Sequence, residues 1–308
     1  MNDEQPATPQ VVLQEKLIAV RLNCSYSFGR VTDRKINAEI AADKGTDAVT
    51  ARKVLFPKES GKYLRALTAT LATFYAYHKK VTMEGINDGE RLLPVVFYPD
   101  YMHEFGAYEV LVKESFEEFK ANYQNSLLQA PNELKGAYNA NDYPREEDLH
   151  RHLNFHLRTL PLPVATPLLT AVGSSIQSDV DGYLNDAMKS ALTDVNCRVK
   201  DALQRMVDVL SNPKGRVHDT MVESLAELVS FIPSFNITAD DSLNLLAEEV
   251  KTRLLVPTEV LRTDVVARQA TADAAFDILR RMGAKATAFT CPSTFSLRAT
   301  SLTTCGKC

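Results

Sequence analysis

Alternating apolar and polar side chains mark two stretches in the N-terminal half of the chain. Every second residue from Ile18 to Phe28 is apolar or aromatic, which predicts a half-buried strand that ends at Gly29. From Leu149 to Arg158, four of the five odd positions are apolar and the even positions include three histidines. Because alternate side chains of a strand point to opposite faces, this stretch predicts a second strand with one histidine-rich face.

Helical periodicity covers most of the remaining chain. A stripe from Leu64 to His78 follows spacings of three and four residues, which predicts a helix capped by Ser60. A longer stripe from Ile176 to Val209 predicts a single helix of about 54 Å. The predicted helices cover residues 46–55, 60–80, 101–123, 175–210, 217–232, 238–254 and 258–282. The fifth of them stops before Pro233, and Gly283 follows the last. The apolar stripe of the last helix is predicted to run through Leu261, Val265, Gln269, Ala272, Phe276 and Leu279.

These patterns predict an α+β protein of 308 residues. The N-terminal half is mixed and contains a small sheet, and an elongated all-helical C-terminal half follows with one long helix. The predicted divisions are a disordered N-terminus over residues 1–10, a mixed α+β domain over 11–163, a helical domain over 164–283, and a disordered or partner-ordered tail over 284–308.

Composition argues against several classes of protein. The net charge of −4 and the pI near 5.9 do not fit a protein that is basic over its whole surface. No apolar run approaches the roughly 20 residues that a membrane helix needs, and no secretory signal precedes residue 10. Five sparsely placed cysteines indicate a reducing compartment, so we expect a cytoplasmic protein. The terminal Cys305-Gly306-Lys307-Cys308 lacks the partners of a zinc or redox site.

One segment carries a positive balance inside this acidic chain. Between Arg30 and Lys80 there are eleven positive and five negative side chains, a local charge of +6, with tyrosines interleaved. Sites for single-stranded nucleic acid combine a cationic track with aromatic side chains that stack on bases. A solvated helix face with core aromatics is the alternative. The candidate contact residues are Arg30, Arg34, Lys35, Arg52, Lys53, Lys58, Lys62, Tyr63, Arg65, Tyr77, Lys79 and Lys80.

The histidine-rich stretch offers the weaker candidates for a site. His150 and His152 on one face of a strand could hold a metal, whereas His156 would lie about 13 Å from His152. A polar, solvated surface explains the same pattern, so no metal site is predicted. GxSxG, P-loop, GxGxxG and HExxH patterns are absent from the sequence. We therefore expect neither enzyme activity nor a cofactor, with a hydrolase that uses the histidines as the least favoured alternative.

Several short motifs resemble an uncharacterised family of phage and mobile-element proteins. They are Tyr77-His78 followed by Thr82, Gly89-x-Arg91-Leu92-Leu93-Pro94, Tyr143-Pro144, Leu160-Pro161-Leu162-Pro163 and Asn236-Ile237-Thr238. Members of this family are often encoded near recombination genes, or near AAA+ ATPases of the MoxR type and their VWA-domain partners. The resemblance implies a non-enzymatic accessory role in DNA handling or as an adaptor, and it supplies no site residues.

Two functional hypotheses follow. The first is a phage-encoded protein of the host cytoplasm that oligomerises and binds single-stranded nucleic acid through the basic segment. The second is a structural or adaptor protein, for instance the partner of an AAA+ ATPase, that acts through its long helices without nucleic acid. Neither hypothesis includes a membrane partner.

Overall fold

The computed structural model describes residues 16–46, 48–85, 87–160, 162, 174–236 and 241–285. It confirms the predicted α+β class, because a small antiparallel sheet lies in the N-terminal half and helices form the C-terminal half. The predicted N-terminal tail, the predicted boundary after residue 163, Thr238 and all but two residues of the predicted C-terminal tail fall outside the described residues.

The chain divides into two compact units. The first unit is Met1–Ala191 with Pro233–Asp240, and the second unit is Leu192–Ile232 with Asp241–Cys308. The main sheet belongs to the first unit and has the strand order β4-β5-β1-β6. Its strands are β1 (Leu17–Tyr26), β4 (Met83–Glu84), β5 (Glu90–Pro94) and β6 (Leu153–Leu160).

The predicted strand near the N-terminus is confirmed as β1, at the centre of the sheet. It pairs with β5 along one side and with β6 along the other, both antiparallel. Val20 and Leu22 are buried as the alternation predicts. Ala19 on the opposite face is buried as well, so this end of the strand is covered on both faces.

The predicted histidine-rich strand is wrong in its first half. Residues Glu146–His152 form a 3₁₀-helix, and β6 begins only at Leu153. Leu149 is fully buried within that helix. Residues four apart, such as Leu149 and Leu153, lie on the same face of a helix as well as of a strand, so the apolar spacing fits both. The acidic residues at positions 146–148 favour the start of a helix. Consequently His150 and His152 lie on a helical turn, and His156 lies on the strand.

The helices of the first unit are α1 (Arg34–Lys44), α2 (Lys62–Val81), α3 (Tyr98–Ala121) and α4 (Tyr123–Leu134). The predicted stripe of α2 is confirmed, since all five of its residues from Leu64 to His78 are buried. Ser60 is not the cap of this helix, because it lies in a 3₁₀ turn, Glu59–Gly61, and hydrogen-bonds to Glu133.

The predicted helix over 46–55 is wrong. The helix in this region is α1, which ends before residue 46. Two short strands, β2 (Arg30–Thr32) and β3 (Arg52–Val54), flank it and pair with each other as a two-stranded ribbon. The side chain of Asp33 accepts hydrogen bonds from two amides in the first turn of α1 and so caps it. Gly45, at φ +65°, ends the helix in the left-handed conformation.

The predicted long helix is confirmed as α5 (Ser174–Leu210). It is followed by α6 (Asp219–Phe235), α7 (Asp241–Leu254), α8 (Thr258–Thr263) and α9 (Val265–Lys285). The prediction that Pro233 stops a helix and that Gly283 follows one is wrong, because α6 and α9 run through these residues.

The predicted last helix is broken at Asp264. The Asp264 side chain accepts hydrogen bonds from the amides of Val266 and Ala267, at 2.8 and 3.0 Å, and starts a new helix. The break changes which residues face inward. Val265 and Phe276 of the predicted stripe are 78% and 57% exposed, whereas Ala275 and Ile278 are buried.

Candidate nucleic-acid interface

The β2–β3 ribbon presents two arginines on one exposed face. Arg30 lies opposite Val54, and Thr32 lies opposite Arg52. Strand alternation places these four side chains on the same face, and all four are exposed. Arg30 and Arg52 are therefore diagonal neighbours, with Cα atoms about 7–8 Å apart.

The start of α1 adds two further cations beside the ribbon. The Asp33 amide donates to the carbonyl of Ala51 at 3.1 Å, and the Ala51 amide donates to the Asn37 side chain at 2.5 Å. These bonds tie the first turn of α1 to the residue that precedes Arg52. Arg34 and Lys35 in that turn are both exposed.

We call Arg30, Arg34, Lys35 and Arg52 the cationic ribbon. Within the part of the chain that the structure describes, none of the four forms an ion pair. The exposed Glu39 lies one helical turn after Lys35 and offsets part of the charge. The cationic ribbon thus concentrates positive charge that is available to an anionic partner.

Lys53 plays a different part, although it stands next to Arg52. Its ammonium group lies 2.6 Å from Asp142 and 3.7 Å from Asp33, and it donates to the carbonyl of Ala137 at 2.7 Å. Only 12% of the side chain is exposed. Lys53 therefore fastens the inner face of the ribbon and is a poor candidate for a phosphate contact.

A second basic group surrounds the start of α2. Lys58, Lys62 and Arg65 are exposed there, with the Lys62 ammonium 5.2 Å from the centre of the Tyr63 ring. The carboxylate of Glu133 accepts from the amides of residues 58 and 60, at 3.1 and 3.2 Å, and from the Ser60 hydroxyl. Desolvation raises the pKa of Glu133, but the hydrogen bonds from Ser60 and its neighbours outweigh it and lower the pKa overall. The Glu133 carboxylate therefore already occupies the start of α2.

A third basic group lies at the other end of the same helix. Lys79 and Lys80 follow Lys62 by about 27 Å along α2, at 1.5 Å per residue. The Lys79 ammonium lies 5.2 Å from the centre of the Tyr75 ring. The predicted basic segment is therefore divided into separate groups.

The predicted stacking tyrosines are largely committed to the first unit itself. The Tyr77 ring stacks on Tyr101 at 6.1 Å with an angle of 12° between the planes, and it also contacts Phe74. Tyr63 is half-buried against the hydrophobic core. These contacts engage Tyr63 and Tyr77 within the first unit, whereas Tyr75 is 41% exposed and the charge of the cationic ribbon is exposed as well.

The two histidines considered for a metal do not share a face. Successive residues of a 3₁₀-helix are rotated by about 120°, so His150 and His152 point in different directions. The His150 ring lies 2.7 Å from the carbonyl of Glu147, whereas His152 approaches Ser27 at 3.2 Å and packs on Phe28. Among the residues with described positions, no group of three or more His, Cys, Asp or Glu side chains could hold a metal.

A buried polar cluster in the first unit was missed by the sequence patterns, which treated His78 as part of an apolar stripe. His78 is 2% exposed, and its Nδ1 lies 2.7 Å from the Tyr101 hydroxyl. Burial, and then the charges of Arg91 and Lys79, lower the pKa of His78 to about 3. Arg91 donates to the hydroxyl and the carbonyl of Thr82, at 2.6 and 3.0 Å.

This cluster gives a structural reason for several motif residues. Among the residues on which the family resemblance rests, His78, Thr82 and Arg91 are linked by hydrogen bonds, and Tyr77 and His78 both pack on Tyr101 of α3. The Tyr143 hydroxyl likewise donates to the carbonyl of Leu55 at 2.8 Å. The His78 imidazole is therefore enclosed, and its lowered pKa keeps it neutral near pH 7.

Comparison with protein-family models, curated proteins and solved structures finds no match to this chain. The resemblance to phage and mobile-element proteins therefore stays a prediction. Of the helices in the described ranges, none combines the length and apolarity needed to cross a bilayer.

Proposed function

We propose that the chain binds single-stranded nucleic acid through the cationic ribbon. The observation that carries this proposal is the set of four exposed cations, without ion-pair partners among the described residues, on one ribbon and the adjoining helix turn. Arginine and lysine side chains in such an arrangement contact phosphates and give affinity without reading sequence. Lys53 and Tyr77 are left out of the proposed contacts, because both are engaged within the first unit.

Binding of a fluorescent oligonucleotide, followed by anisotropy at about 0.1 M salt, tests this proposal. For a single strand, each phosphate contact changes log K by about 0.7 for a tenfold change in salt concentration. Two contacts therefore raise the affinity about 25-fold at 0.1 M salt relative to 1 M. We expect the double variant Arg30→Gln/Arg52→Gln to lose this much. Lys113→Gln, an exposed lysine of α3, controls for a general change in charge. Equal affinities of the wild type and the double variant would refute the proposal.

The adaptor hypothesis keeps one specific observation in its favour. Val265 and Val266 at the start of α9 are each 78% exposed, side by side in the second unit. The stripe of α5, by contrast, is buried at Val195, Val199 and Met206, so these three side chains add nothing to an exposed surface. Light scattering of Val265→Ser/Val266→Ser would separate the two cases. If these valines join protein chains, the variant loses an assembly that the wild type forms.

A further inference from the structure

The second unit contains a cavity of about 550 Å³ that is lined by Gly215, Arg216, Val217, His218, Arg262 and Arg268. It lies at the turn between the end of α5 and the start of α6. Its volume falls in the range of roughly 300–1,000 Å³ that is usual for small-molecule sites. Three of the six lining residues are arginines, which is an unusual concentration of positive charge for one cavity.

Arg268 is held rigidly at this cavity. Its Nε donates to the carbonyl of Leu210 at 3.0 Å, and its Nη2 lies 2.8–2.9 Å from the carbonyls of Val209, Asn212 and Gly215. These bonds satisfy carbonyls at the C-terminal end of α5. The remaining nitrogen, Nη1, makes no hydrogen bond to any residue whose position is described.

Arg262 repeats the same arrangement from another helix. Its Nε donates to the carbonyl of Val217 and its Nη2 to the carboxylate of Asp219, both at 3.0 Å. Its Nη1 is likewise without a hydrogen bond in the described ranges. Two guanidinium groups are therefore fixed by two of their nitrogens, and the third nitrogen of each makes no hydrogen bond to a described residue.

The charges around the cavity favour an anion. Arg216 and His218 are exposed and, within the described chain, form neither an ion pair nor a side-chain hydrogen bond. Asp219, the carboxylate nearest in sequence, is already paired with Arg262. The carbonyl oxygens that would repel an anion are covered by the two fixed arginines. Fixed guanidinium groups match the planar, two-point geometry of a phosphate.

We propose that this cavity binds a phosphate group, either free or carried by a small phosphorylated compound. Arg262 and Arg268 supply preset donors, and Arg216 and His218 close on the anion from the exposed side. The lining contains no aromatic ring apart from the His218 imidazole, so the phosphate itself is the feature recognised.

Isothermal titration of the full-length chain with inorganic phosphate and with glycerol 3-phosphate, at constant ionic strength, tests this site. We expect saturable binding of one anion per chain. Arg216→Ala should weaken it about tenfold or more, as for the loss of one charge-assisted hydrogen bond. The Arg216 side chain makes no hydrogen bond to the residues whose positions are described, so we expect this variant to keep the fold. Lys214→Ala, an exposed neighbour outside the lining, is the matched control.

The possible outcomes separate the sources of the phosphate. Equal affinity for both compounds identifies the phosphate group alone as the ligand, and tighter binding of glycerol 3-phosphate identifies a phosphorylated compound. The absence of saturable binding, or equal weakening by Arg216→Ala and Lys214→Ala, overturns the proposal. Arg30→Gln/Arg52→Gln should bind phosphate as the wild type does. The test of this cavity is therefore independent of the test of the cationic ribbon.

Discussion

The first unit should lose stability in weak acid because of one buried imidazole. His78 is 2% exposed and neutral in the fold, with its pKa lowered to about 3 by burial, by Arg91 and by Lys79. The ordinary pKa of the side chain is 6.5. Since the folded state binds a proton less readily than the unfolded chain, stability is fully present above pH 6.5 and falls as the pH drops towards 3.

The size of the effect follows from the gap between the two pKa values. Each pH unit below 6.5 costs about 1.36 kcal/mol until the folded pKa is reached. At pH 4.5, two units below, the loss is therefore about 3 kcal/mol. That is a large part of the roughly 5–15 kcal/mol that stabilises a typical domain.

Urea unfolding followed by tyrosine fluorescence measures this loss in the first unit alone. All 11 tyrosines lie between Tyr26 and Tyr183, in the first unit, and the chain has no tryptophan. His78→Gln keeps a hydrogen-bonding side chain towards Tyr101 but cannot titrate. We expect the wild type to lose about 3 kcal/mol more than this variant between pH 7.5 and pH 4.5. Carboxylates also titrate in this range, and the comparison with the variant subtracts them.

An exposed histidine provides the control for this experiment. His103 on α3 is exposed, and His103→Gln should follow the wild-type pH dependence. If His78→Gln follows it as well, so that the three stability curves run parallel, then His78 does not carry the acid sensitivity and the reasoning is wrong.

Three further substitutions test the contacts that shape the two units. Lys53→Met leaves Asp33 and Asp142 without their cation and should cost about 2–4 kcal/mol in tyrosine-detected unfolding, whereas Arg52→Met next to it should change stability by less than about 0.5 kcal/mol. Gly215→Ala should destabilise the second unit by about 1–3 kcal/mol, measured by far-UV circular dichroism, because the added Cβ overlaps the carbonyl of Val209. Gly283→Ala, whose added Cβ faces open space, should leave the stability unchanged. Glu133→Gln should cost about 1 kcal/mol near pH 7 and much less once acid has protonated the wild-type carboxylate, because its pKa lies below the usual value.

Long, repeated patterns could be predicted from the sequence, and single-residue decisions could not. The stripe of α5 extends over ten turns, so a few misplaced positions do not change its period. Leu149 fits a helical turn and a strand equally well, and only the core around it decides between them. The break at Asp264 depends on one side chain that caps a new helix, and Val265 and Phe276 after it are exposed, whereas Ala272 is buried as predicted.

The candidate sites depend on information that local patterns do not contain. Arg52 and Lys53 are adjacent cations, yet one is exposed and the other is paired with Asp142, which lies 89 residues further along the chain. A charge count cannot separate them. The phosphate cavity combines a turn at residues 215–218 with Arg262 and Arg268. The turn can be recognised from Pro213 and Gly215, but its arginine partners follow only from the packing of the helices.

The salt dependence of oligonucleotide binding tests the cationic ribbon most directly. Four phosphate contacts predict that log K for a single strand falls with log salt concentration at a slope of about −2.8, which is about 50-fold between 50 and 200 mM. Arg30→Gln/Arg52→Gln should halve the slope to about −1.4. Binding that ignores salt, or a slope that this double variant leaves unchanged, would contradict the account.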